Sequence, residues 1–205
     1  MRASKRSKQT CLLMVFMLVL TGMSFAANLL KNGDLEGADA SEFTAIWKHT
    51  FTSYLIEEED GNRCVKFEVI ALEDAGESQR LNGSLLIGGA KGWYGDVGKD
   101  ALRLRPNTTY EFGFDVKGTI KYFNHATFDV WLKDGTRKNI KTSIDKRVPL
   151  TQEWVRYEGE FTTDDSIQTA VLKLNVYTDE PKDNPIHKVG DYMLVDNVVI
   201  KEKGR

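Results

Sequence analysis

Asp115, Asp129, Trp131, Lys173, Asn175 and Tyr177 stand at alternate positions of three segments, 109–117, 127–133 and 169–177. Carboxylate and amide oxygens accept hydrogen bonds from hydroxyls, and amide and ammonium groups donate to hydroxyl oxygens. Aromatic rings cover the apolar C–H face of a pyranose. The mixture suits a sugar chain, provided that the three segments share one sheet and turn these residues to a common wet face. Trp93 and Tyr94 lie among glycines in 89–95, where the backbone can bend and expose the rings at the edge of such a cleft. The other reading of this pair is a plug at a sheet corner. Trp47 and Trp154 open apolar runs and read as structural.

A second pair of positions draws notice for its cost. Glu36 and Asp196 lie in short apolar runs, 28–36 and 192–200, where a buried strand normally avoids charge. A carboxylate there needs a partner or a metal. The two runs bracket the chain that follows residue 26, so they are expected to meet in one sheet and close a domain.

The elements that must position these groups are strands. In 109–117, Tyr110, Phe112, Phe114 and Val116 point one way. Phe128, Val130 and Leu132 do so in 127–133, and Ala170, Leu172, Leu174 and Val176 in 169–177. Period-two alternation of this kind marks half-buried strands. Asp60-Gly61, Asn82-Gly83 and Asp134-Gly135 are turn dipeptides that supply positive φ. Asp134-Gly135 predicts a hairpin between 127–133 and 136–143, and 179–190 reads as a polar loop. No segment shows a sustained helical stripe. The pattern predicts an all-β, antiparallel β-sandwich of jelly-roll form.

Residues 1–26 read as a secretory signal: a basic head (Arg2, Lys5, Arg6, Lys8), an apolar run from Cys11 to Leu20, and small residues at Ser24 and Ala26. The protein is therefore expected in the periplasm, on the cell surface or outside the cell, with no membrane attachment after cleavage. Residues 27–205 then form one domain and one copy acts alone. They hold 24 basic and 30 acidic side chains, a net charge of −6. That balance argues against nucleic acid or anionic lipid as the partner. Cys64 is the one cysteine in this part, so no internal disulfide forms; it reads as a small buried hydrophobe. His49, His125 and His187 carry no recognisable companion motif.

Four stretches carry a family resemblance. They are Asn28-Leu29-Leu30-Lys31-Asn32-Gly33-Asp34-Leu35-Glu36 followed by Trp47; 102–112; Trp154-Val155-Arg156-Tyr157 with Phe161-Thr162; and Val195-Asp196-Asn197-Val198. In this order they resemble carbohydrate-binding modules of the family 4/9 type. The resemblance implies a galactose-binding-like jelly roll that binds polysaccharide or oligosaccharide chains. It also implies a structural calcium held by the joined chain ends, with Glu36 and Asp196 at the matching positions and Asp34 as a weaker candidate. Hard cations of this kind take oxygen ligands, with backbone carbonyls completing the shell. No catalytic cofactor is implied.

Two other classes compete with a non-catalytic binder. A glycosidase needs two carboxylates flanking the scissile bond, which Asp115 and Asp129 could supply in principle. However, no Glu-x-Asp-x-x-Glu strand and no lyase-type Gln-x-His occurs. An extracellular assembly module would use the same fold to bind a protein partner.

Overall fold

The alternating segments form strands, and each buries the side that its apolar residues mark. The computed structural model describes residues 26–36, 43–46, 50–88, 90–91, 96–97, 102–132 and 135–204. In chain order the strands begin with β1 (Phe43–Ile46), β2 (Phe51–Glu57), β3 (Arg63–Val69), β4 (Glu73–Ala75), β5 (Ser78–Ile87), β6 (Ala90–Lys91), β7 (Asp96–Val97) and β8 (Leu102–Arg103). They continue with β9 (Thr109–Gly118), β10 (Tyr122–Phe123), β11 (His125–Leu132), β12 (Arg137–Lys141), β13 (Val148–Pro149), β14 (Val155–Thr162), β15 (Ile167–Pro181) and β16 (Tyr192–Glu202).

Two antiparallel sheets make a jelly-roll sandwich. The front sheet runs β1-β5-β15-β11-β12, with β4 added to β5 and β8 to β15. The back sheet runs β14-β9-β16-β3-β2. Between them lie Phe112, Phe114 and Val116 of β9, Phe128 and Val130 of β11, and Leu172, Leu174 and Val176 of β15, all in one buried cluster. Phe128 stacks on Phe161 with ring centroids 3.8 Å apart, and Phe112 meets Phe128 edge-on at 5.3 Å. Such aromatic pairs add about 0.5–1.5 kcal/mol beyond the area they bury.

The chain ends meet, but 28–36 runs as bends and turns against β16 and not as a strand of its sheet, and Glu36, expected in a buried strand, is exposed. Leu29 N–H donates to the Ile200 carbonyl at 2.8 Å, and Val198 N–H to the Gly33 carbonyl at 2.7 Å. Asn28 locks the seam, its Nδ2 donating to the Val198 carbonyl at 2.8 Å and its Oδ1 accepting Ile200 N–H at 2.9 Å. A Cβ at Gly33 would sit 2.0 Å from the Val198 carbonyl oxygen, so only glycine permits this approach.

Three further expectations are corrected. The segment 109–117, within β9, lies in the back sheet, while 127–132 of β11 and 169–177 of β15 are neighbours in the front sheet, Lys133 lying outside the described residues. Local alternation chooses the buried face of a strand but not the sheet it joins. Asn82-Gly83 is no turn: it lies inside β5, opposite Tyr177 and Val176. Its glycine makes room for Phe51, whose ring would come within 2.0 Å of an added Cβ. The stretch 179–190 is not all loop, since β15 continues to Pro181. By contrast, β11 and β12 do pair as a hairpin, with Gly135 at a φ of 82° and Leu132 N–H donating to the Thr136 carbonyl at 2.9 Å; Lys133 and Asp134 lie outside the described residues.

Candidate functional site

The face of the front sheet turned away from the core carries cross-strand rows of polar side chains. One row is Ser84, Asn175 and His125 on β5, β15 and β11. The next is Leu86, Lys173, Thr127 and Lys141, the last on β12. A third is Val171, Asp129 and Asn139, and a fourth is Arg103, Thr169, Trp131 and Arg137. This face is itself largely buried. Leu86 is 3% exposed and Val171 0%, although neither belongs to the core cluster.

Burial makes polar pairing mandatory here. Asp129 is 2% exposed and accepts hydrogen bonds from the Arg137 guanidinium and from Asn139 Nδ2, the latter at 2.7 Å. The Lys173 ammonium lies 3.9 Å from the same carboxylate. Asn175 ties three strands together. Its Oδ1 accepts Ser84 Oγ–H at 2.9 Å, and its Nδ2 lies 3.3 Å from the His125 carbonyl and 3.4 Å from Thr127 Oγ1. Burial lowers the proton affinity of Lys173, opposed by Asp129 and reinforced by Arg137. His125 is also held below its ordinary value, first by burial and then by the charges of Lys173 and Lys141.

Tyr177 continues the outward positions of β15 toward solvent and is 45% exposed. Its backbone N–H donates to Asn124 Oδ1, and its hydroxyl donates to Asp179 Oδ2 at 2.9 Å. Arg80 Nε holds the other oxygen of Asp179 at 2.8 Å. The ring is thus fixed at the rim of the polar rows.

Four of the expected sugar contacts, Asp129, Lys173, Asn175 and Tyr177, therefore share one face. The backbone of Trp131 lies on β11 at the same face, opposite Thr169 and Arg137. The Trp131 side chain lies outside the described residues, as do Trp93, Tyr94 and Trp47. Asp115 does not join the set. It faces outward from the back sheet, where Arg156 Nη1 lies 3.3 Å from its Oδ1 and Asn197 Nδ2 donates to its Oδ2 at 2.9 Å. Trp154 is half-buried at that sheet, with the Lys117 ammonium 4.7 Å from its ring centroid.

Asp115 instead meets the chain-end carboxylates. It pairs across strands with Asp196, beside a bulge between Asp196 and Val199 where Asn197 takes a φ of 46°. Asp196 is 2% exposed. Burial raises its proton affinity, and the nearby charges of Asp115 and Glu36 raise it further, while hydrogen bonds from Asn197 and Asn62 oppose the rise. Such a carboxylate would gain from a bound cation. The fit is partial: among the described residues no three His, Cys, Asp or Glu side chains converge as metal ligands. Cys64 is buried near this cluster, on the side of β3 opposite the core-facing Val65 and Phe67. Desolvation, with Glu58 and Asp196 adding to it, pushes its thiol up to about 12.

Several site residues were missed in the sequence: Arg137 and Asn139 on β12, Ser84 on β5, and Thr127. The hairpin at Asp134-Gly135 already sets Arg137 opposite Trp131 and Asn139 opposite Asp129. Ser84 left no such signal, because β5 reaches β15 by a long-range pairing. His187 also has a companion that the sequence did not disclose. It is 1% exposed, its Nδ1 meets buried Glu180, and its Nε2 accepts Lys121 N–H at 3.1 Å.

A family model described as a carbohydrate binding domain matches residues 27–183. Among curated proteins none matches the sequence. The structure is similar to the CBM22-1 xylan-binding domain of Paenibacillus barcinonensis Xyn10C (15% identity, TM-score 0.51, covering 86% of this chain and 95% of that one). It is similar to the N-terminal cellulose-binding domain of Cellulomonas fimi β-1,4-glucanase C (11% identity, TM-score 0.51, 82% and 92%). It is also similar to part of the enzymatically active domain of tailspike protein 4 from bacteriophage CBA120 (12% identity, TM-score 0.54), covering 85% of this chain but 21% of that one. At these identities the likeness is one of fold.

Proposed function

Because the chain belongs to the carbohydrate binding domain family, we propose that it binds a polysaccharide, without cleaving it, on the outer face of the front sheet. The observation that carries this reading is the run of polar rows across β5, β15, β11 and β12, with Asp129 and Asn175 held rigid inside it. These two side chains, taken up by protein partners, fix the strands that present the exposed groups around them, so less freedom is lost on binding. The Tyr177 ring offers an apolar surface at the rim, and Trp131 stands at the far end of the same strand pair.

Cleavage is the weaker reading on geometric grounds. The two carboxylates that could flank a glycosidic bond, Asp115 and Asp129, face outward from opposite sheets. They cannot act on one bond. An assembly role would need a protein partner, and no feature of the face selects one.

The proposal extends to features that rest on sequence alone: export by residues 1–26, action as a single copy, and a calcium ion near Glu36 and Asp196. The ion would draw on these carboxylates with nearby backbone carbonyls. Its chemistry is neutralisation of crowded negative charge, far from the front face.

Affinity electrophoresis in gels containing xylan, a soluble cellulose derivative or an acidic glycan tests the main reading. Retardation by at least one glycan, weakened in Tyr177→Ala, is the expected result. No retardation in any gel, or new reducing ends on incubation, would refute it.

A further inference from the structure

The charge on the front face differs from the charge of the chain. Residues 27–205 carry a net charge of −6. Yet the four rows from Ser84–Asn175–His125 to Arg103–Thr169–Trp131–Arg137 hold four basic residues, Lys141, Lys173, Arg103 and Arg137. Among the described residues of these rows, Asp129 is the one carboxylate. The back sheet shows the opposite balance: its outer face gathers Glu68, Glu111, Asp115, Glu158 and Asp196 around Lys66, Lys117, Arg156 and Lys201.

We infer that the front face selects glycans carrying anionic groups, with the exposed Lys141 and Arg103 supplying separate contacts to uronate carboxylates or sulfate esters along the chain. The inference rests on the polysaccharide-binding reading and names the class of ligand for that site.

Three observations support it. The cations come from three different strands, Arg103 from β8, Lys173 from β15, and Lys141 and Arg137 from β12, so the sheet register itself places them on one face. Asp129 is shared among Arg137, Asn139 and Lys173, and Lys141 and Arg103 add their charges to the face outside that group. His125 lies beside these cations: burial first, then the ammonium groups of Lys173 and Lys141, disfavour its protonation, and Asp145, from the segment after β12, opposes them. A partly buried cationic cluster is screened less than an exposed one, so it attracts an anion more strongly. Arginine and lysine also donate charge-assisted hydrogen bonds to carboxylate and sulfate oxygens.

The test compares polygalacturonate, a sulfated galactan and neutral xylan by isothermal titration with the full chain, at low and at physiological salt. Binding to one of the two anionic chains is expected to exceed binding to xylan by about tenfold or more, the scale of one charge-assisted hydrogen bond. It should weaken as salt rises. The stronger of the two anionic chains identifies the group as carboxylate or sulfate. Lys141→Gln and Arg103→Gln should each weaken that binding, while Lys138→Gln should not, because Lys138 alternates to the other side of β12 and pairs with Asp164 at 2.8 Å. The bound anion should also raise the titration midpoint of the His125 ring, read by NMR. Xylan binding as tightly as the acidic chains would overturn the inference and leave the polysaccharide reading standing. Acidic binding indifferent to Lys141→Gln and Arg103→Gln would overturn it too. Failure to bind all three chains would sink both.

Discussion

Asp129→Asn is the substitution that probes the polar rows most directly. The carboxylate is 2% exposed and serves the Arg137 guanidinium, Asn139 Nδ2 and, at 3.9 Å, the Lys173 ammonium. At about 4 Å and an effective dielectric near 20, each unit-charge pair attracts by roughly 4 kcal/mol before desolvation is counted. Breaking a buried pair by removing one partner costs about 3–5 kcal/mol in net terms. The Arg137 side chain is 30% exposed and can return part of its charge to water, whereas the Lys173 side chain is 10% exposed and cannot. The amide keeps one acceptor for Asn139. A loss of about 2–4 kcal/mol is therefore expected, which lowers the melting temperature of a domain of this size by roughly 5–15 °C. Urea denaturation followed by tryptophan fluorescence measures it. Adding Lys173→Met should recover part of the loss, since the stranded ammonium is then gone. A change under about 0.5 kcal/mol would put Asp129 on an ordinary solvated surface and refute the reasoning.

Two further outcomes follow from groups away from that face. Chelation should lower the melting temperature without abolishing glycan binding, and Asp196→Asn should remove the sensitivity. Because burial and the Asp115 and Glu36 charges raise Asp196, its charge weakens the metal-free fold once pH climbs past the raised value. Metal-free Asp196→Asn should then match or exceed the parent in stability at neutral pH, and no response of the parent to chelator would remove the calcium claim. Glu180 has the opposite sign: burial works against its ionised form, but hydrogen bonds from the His187 side chain and backbone and from Ile186 N–H hold it below its ordinary value. Its contribution is present above the unfolded carboxylate value and lost as pH falls through the lower folded one. Glu180→Gln should flatten the acid limb of a plot of stability against pH and lower stability at neutral pH by about 1–3 kcal/mol; an unchanged limb would contradict this.

Much of this fold could be read from local pattern, and the limits are physical. Tyr110, Phe112, Phe114, Phe128, Val130, Leu172 and Leu174 all point to the core as their alternation requires. Pleating forces that result residue by residue. Which strands lie side by side is settled by pairings between distant segments, so Asp115 was assigned to a face it does not share. The joining of 28–36 with 192–200 was expected from a carboxylate in each apolar run, but Asn28 and Gly33 make the seam and Glu36 is exposed. Asn82-Gly83 misled for a different reason: the same glycine that relaxes a turn also admits a close ring, and Phe51 is invisible from the local sequence.

The rows also divide labour in a way that residue type alone does not disclose. An amide side chain has two donors and one oxygen with two lone pairs. In Asn175 the oxygen is taken by Ser84, and the nitrogen lies within reach of the His125 carbonyl, Thr127 and the Lys173 carbonyl. Asn175 is 8% exposed, so it acts as a strut that fixes β5, β15 and β11 in register. Asp129 does the same for β11 and β12 through Asn139 and Arg137. Contact with a glycan then falls to groups around these struts: Lys141 and Arg103, which are exposed, and the Tyr177 ring. On this division, loss of a strut disturbs stability and binding together, whereas loss of Lys141, Arg103 or the Tyr177 ring disturbs binding alone.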